Sequence, residues 1–146
     1  MSKHKKEGRV TVVLEQYWNE LRQGREFPSE NEINPEDIKH IWDYCFLIHV
    51  GPSEGHHYKY TYLGKKLIEA YGDDISKDEV NILVVPTKQR MIEKIEETVK
   101  KREPIHDESE FVNADSVMVR YRKIFLPLGR GSEVEYVIGA MRWKGF

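Results

Sequence analysis

Tyr44-Cys45-Phe46-Leu47-Ile48-His49-Val50 runs into Gly51-Pro52, and after Ser53-Glu54-Gly55 the chain resumes as Tyr58-Lys59-Tyr60-Thr61-Tyr62-Leu63. The first run is apolar on both faces apart from His49, the pattern of a strand covered on both sides. The second alternates with period two and suits a strand with one wetter face. The turn residues between them predict a hairpin. A second doubly apolar run lies at 134–143, with Tyr136, Ile138 and Ala140 on one face and Val137, Met141 and Trp143 on the other. The first and last strands are therefore expected to be neighbours at the centre of one sheet.

Working outward, Val10, Val13, Leu14, Tyr17, Trp18 and Leu21 form one helical face, and Arg22 and Gly24 suit its carboxyl end, predicting a helix over 9–23. Residues 25–34 read as an ordered loop. Asn34 before Pro35-Glu36-Asp37 caps a short helix over 35–42. Gly64 opens, and Gly72 closes, a helix over Lys65–Tyr71. Residues 73–85 carry no readable pattern. Met91, Ile92, Ile95 and Val99 make the buried stripe of a helix over 87–101, ended by Pro104. Strands follow at 105–112, 117–127 and 133–143, separated by Asn113-Ala114-Asp115 and Gly129-Arg130-Gly131-Ser132. This order predicts an α+β fold: a five-stranded antiparallel sheet, helices between strands 2 and 3, and an additional N-terminal helix. The middle helices cover one sheet face; the first helix is expected on the other, from the same chain or a second copy.

The length of 146 residues suits one domain. The expected division is a flexible tail at 1–8, a docking helix at 9–24 and a single domain over 25–146. Lys plus Arg is 23 against 25 for Asp plus Glu, a net charge of −2, so no DNA partner is expected. No apolar run is long enough to insert in a membrane or to be a cleavable signal, and the expected location is the cytoplasm. The single cysteine, Cys45, excludes an internal disulfide and reads as a small buried residue.

The chemistry-bearing side chains form no reactive constellation. His49 and the adjacent His56-His57 lack a cysteine or carboxylate to complete a four-ligand metal set, and His40 reads as a helix-surface residue. Asp107, Glu108 and Glu110, and separately Asp73 and Asp74, read as solvated acids rather than catalytic pairs. No serine elbow, phosphate loop or Cys-His pair occurs. No catalytic and no metal-binding residues are expected, and the protein is not expected to be an enzyme.

The chain resembles the PAS domain family, and more narrowly small bacterial PAS-like proteins that consist of little else. The resemblance rests on Tyr17-Trp18, Leu21-Arg22, Gly24-Arg25, Pro28-Ser29, Ile33-Asn34-Pro35 and Ile38. It continues through Phe46-Leu47-Ile48, Tyr58-Lys59-Tyr60, Leu63-Gly64 and Tyr71-Gly72, and ends with Tyr121, Leu126-Pro127-Leu128 and Ile138-Gly139-Ala140. It covers residues from about 12 onward. Asn34 stands where relatives often have aspartate, and Ile75-Ser76-Lys77-Asp78 intervenes where they continue toward a glycine.

The resemblance implies a non-catalytic sensory or regulatory domain that binds a small molecule or a signalling protein. Flavin-bonding relatives need a cysteine in the helical middle, which Cys45 is not; haem-binding ones need an axial ligand such as a histidine, and the helix over 87–101 contains none, with His106 just beyond it. No cofactor is expected. A ligand would lie beneath the middle helices against Leu67, Ile68, Tyr71, Ile92 and Ile95, with Arg120 or Arg122 for an anionic group. The same apolar residues also serve as ordinary core. In the alternative, a ligand-free adaptor homodimerises or docks a partner through Val13, Tyr17, Trp18 and Leu21, with Ile138 on the sheet face.

Overall fold

A computed structural model describes residues 9–51, 58–72 and 85–146, with the backbone alone at 85–88. The expected tail at 1–8, much of the hairpin loop with His56 and His57, and the unreadable 73–84 segment lie outside the described residues. Four α-helices are described: α1 (Val10–Arg22), α2 (Lys39–Trp42), α3 (Lys65–Tyr71) and α4 (Val85–Lys101). The strands are β1 (Cys45–Val50), β2 (Tyr58–Leu63), β3 (Ile105–Val112), β4 (Met118–Arg130) and β5 (Glu133–Gly145). They form one antiparallel sheet in the order β2-β1-β5-β4-β3. The doubly apolar runs thus take the centre, β5 in the middle with β1 beside it.

Local chemistry explains the boundaries. Helix α1 exits through two left-handed residues, Gln23 at φ 46° and Gly24 at φ 81°. The loop after it is fastened by the Arg25–Glu32 ion pair at 2.8 Å. Hydrogen bonds from Arg25 and from the Ser29 backbone hold the Glu32 carboxyl down to about 2. The Asn34 side chain accepts a hydrogen bond from the Glu36 N–H at 3.2 Å, and the turn it caps is 3-10 over Pro35–Ile38 before becoming α2. At β1, Phe46 pairs with Gly139 of β5, and a Cβ on that glycine would run into the Phe46 ring. Glycine there lets an aromatic side chain cross the central strand.

The sheet separates two cores. On one side α3 and α4 cover Phe46, Ile48, Tyr60, Tyr121, Phe125, Val137 and Met141. On the other α1 and α2 cover Cys45, Leu47, Ile124, Leu126, Leu128, Ile138 and Ala140. Val10, Leu14 and Trp18 of α1 are buried in this second core, and the Trp18 indole N–H donates to the Pro127 carbonyl at 2.8 Å. The first helix therefore folds back on its own sheet. This corrects the assignment of Trp18 and Ile138 as docking residues: Trp18 is 4% exposed and Ile138 fully buried. Tyr17 is engaged as well, its hydroxyl accepting the Asn34 N–H at 2.9 Å, whereas Val13 and Leu21 are half-buried on the helix flank.

Candidate ligand site

Strand β4 carries Val119, Tyr121, Lys123 and Phe125 on the face beneath α3 and α4, and Arg120 and Arg122 on the other. Arg120 and Arg122 are therefore not beneath the helices as expected. They stand exposed, paired across strands with Glu110 at 3.2 Å and Glu108 at 3.4 Å. The inward cation is Lys123, only 4% exposed. Its ammonium donates to the Tyr71 hydroxyl at 3.3 Å and lies 3.6 Å from the Met91 sulfur. The rings of Tyr121, Phe125, Phe46 and Tyr71 surround it at 4.8–5.9 Å from their centroids. Such faces attract a desolvated cation, yet no carboxylate among the described residues lies within ion-pair distance of it.

The nearby acid is already engaged. Asp107 on β3 is buried, while its neighbours Glu108 and Glu110 are exposed, so only part of the expected solvated cluster is solvated. Arg90 of α4 grips the Asp107 carboxylate with two nitrogens at 3.0 and 2.6 Å, and the Tyr121 hydroxyl donates to it at 2.9 Å. Burial alone would raise its pKa, but these donors outweigh burial and hold it below the ordinary aspartate value. Burial, with the Asp107 charge beside it, pushes Tyr121 far above a free tyrosine. In the same core the Tyr60 hydroxyl is buried beside that of Tyr71, and burial above all pushes its pKa well above that of a free tyrosine.

Of the residues expected to line a ligand, Leu67, Tyr71 and Ile95 are buried in this core and Ile68 and Ile92 pack at its margin. Lys123, Tyr60, Asp107 and Arg90 were not anticipated. The signal for Lys123 was its two-residue spacing from Tyr121 and Phe125 on one strand face. Cys45 lies on the opposite sheet face, its thiol donating to the Ile41 carbonyl at 3.4 Å, with burial pushing its pKa far upward. It is a small packed residue, as its sequence context suggests. His49 is exposed against the Tyr136 ring, His40 is exposed, and His106 lies 3.4 Å from Glu15. Among the described residues no group of three or more His, Cys, Asp or Glu is placed to hold a metal.

A family model described as PAS domain matches residues 6–142. The chain belongs to the PAS domain family, and its fold is the one that PAS and LOV domains share. Solved structures agree in architecture at low identity. One, from work on a flavin analogue and the light-oxygen-voltage domain mechanism, is 13% identical with a TM-score of 0.57, covering 75% of this chain and 82% of that one. The LOV protein of Rhodobacter sphaeroides is 9% identical with a TM-score of 0.53, covering 76% and 68%. The light-state dimer of the fungal blue-light photoreceptor Vivid is 10% identical with a TM-score of 0.50, covering 67% and 75%. No curated protein sequence matches the chain. No helix among the described residues is long and apolar enough to cross a membrane.

Proposed function

We propose that this PAS domain is a sensor for a small anionic molecule, held between the sheet and helices α3 and α4 by Lys123. The carrying observation is the buried ammonium, whose hydrogen-bond acceptors are one hydroxyl and a weak thioether. Removing a charge from water is costly unless a counter-charge and hydrogen bonds replace the solvent. A carboxylate or phosphate supplies both, and the buried Tyr60 hydroxyl offers a further donor. Met91 is the movable wall, since an unbranched thioether side chain changes rotamer more readily than a branched one. The domain then acts by binding rather than by catalysis.

Thermal unfolding with a panel of small carboxylates and organic phosphates tests this reading. Wild-type protein is expected to be stabilised by at least one member and Lys123→Met by none. Equal stabilisation of both proteins, or of neither, overturns it.

A second reading, homodimerisation through α1, is supported by the half-buried Val13 and Leu21 beside exposed Val12. Light scattering of the purified protein tests it, and a monomeric mass at micromolar concentration rules it out.

A further inference from the structure

Helix α1 covers only part of its sheet face, and beyond it β4 and β5 present like charges to one another. Arg122 is directly opposite Arg142, and Arg120 is opposite Lys144. All four are exposed. Cations opposed across strands repel, so neither pairing is explained by sheet stability. Glu108 and Glu110 of β3 neutralise Arg122 and Arg120 from one side only. On the other side neither Arg142 nor Lys144 has an ion-pair partner among the described residues, and the Lys144 ammonium lies over the Phe146 ring, 5.6 Å from its centroid. Among the described residues, a chain of net charge −2 thus gathers four exposed cations, two of them without an acidic partner, on one patch of sheet.

We propose that this patch docks an extended acidic segment of a protein partner. Residues two apart on a strand lie about 6.8 Å apart, so the cations stand in two rows at that spacing. An extended peptide with acidic side chains at alternate positions repeats its carboxylates at the same interval and meets both rows along β5. The exposed Phe146, whose ring also lies 5.0 Å from the Arg120 guanidinium, gives the row an apolar end for a neighbouring side chain. The glutamates of β3 confine the positive strip to two strands, a width suited to one peptide; a polyanion spanning the sheet would meet Glu108 and Glu110.

The test is fluorescence anisotropy of a labelled peptide alternating glutamate and threonine. A lysine–threonine counterpart and a labelled oligothymidylate of equal length serve as controls, at about 50 mM and about 300 mM salt. The glutamate peptide is expected to bind in preference to both controls and to weaken in high salt. R142E/K144E should lower its affinity about tenfold, while E108Q/E110Q, by releasing Arg122 and Arg120 from their own acids, should raise it about threefold. All four substituted residues are exposed, and unchanged melting curves establish that the variants fold. Absence of saturable binding, an affinity unchanged in R142E/K144E, or tighter binding of the oligothymidylate overturns the proposal. Failure at this patch leaves the Lys123 site untouched, because the two lie on opposite sheet faces.

Discussion

Trp18 reaches across 109 positions of sequence to give its indole proton to the carbonyl of Pro127. The bond secures α1 to β4 at a point where the ring is itself in the second core. Trp18→Ala removes both ring and donor and should cost about 3–5 kcal/mol, the range for emptying a large buried aromatic site. Trp18→Phe retains most of the packing but orphans the Pro127 carbonyl, for about 1–2 kcal/mol. Urea denaturation measures both. A Trp18→Ala loss below about 1 kcal/mol would show that the helix is not integral to the fold.

Acid should destabilise the domain through Asp107. Its pKa in the folded protein is below the ordinary value of 3.8, so its contribution is fully present above that value and is lost as pH falls through the folded value. Glu32, held at about 2 against an ordinary 4.5, acts in the same direction over that interval. Asp107→Asn should cost about 2 kcal/mol at neutral pH and flatten the acid limb of the stability profile. Chemical denaturation at a series of pH values reads both effects; an unchanged limb would mean that Asp107 titrates alike in the folded and unfolded chains.

Lys123→Met should make the ligand-free protein more stable. Replacing a buried charge by an apolar group of similar length often gains about 1–2 kcal/mol, and the aromatic walls already suit a thioether. Denaturation in urea tests the sign. A loss of more than about 2 kcal/mol would identify Lys123 as a structural cation held by its rings.

At the centre of the sheet, Gly139→Ala should be severe for its size. The added methyl meets the Phe46 ring and comes within 2.5 Å of the Ile124 carbonyl oxygen, so strand and ring must both move. Overpacking of this kind costs about 3 kcal/mol, or about 10 °C of Tm for a domain of this length. Calorimetry measures it, and Gly139→Ala combined with Phe46→Leu should recover part of the loss if the ring is the obstacle.

The sheet order was legible because Phe46, Leu47 and Ile48, and likewise Val137 and Ile138, leave no wet face, and a strand without one has to be central. Helix α3 was equally plain, bounded by Gly64 and Gly72. The polar content of the first core was harder to read. Lys123 sits in a strand whose Arg120 and Arg122 differ from it only in parity, and with three cations in four positions composition alone does not say which points inward. Asp107 was obscured in the same way by Glu108 and Glu110. In each case the neighbouring aromatic or aliphatic residue two positions away sets the face, and for Asp107 a long-range partner, Arg90, makes the burial tolerable. Trp18 was recognised as apolar, but its covering surface depended on the chain folding back, which helical periodicity does not encode.

The pairing of β1 with β5, Cys45 against Ala140 at one end and His49 against Tyr136 at the other, also joins the first strand to the last, a long-range closure of the kind that slows folding. The hairpin of β1 and β2 forms from local contacts, but its inner edge stays unpaired until residues 133–145 arrive, and loop closure over such a span is slow. During that interval the exposed edge of β1 is the segment most open to pairing with another chain.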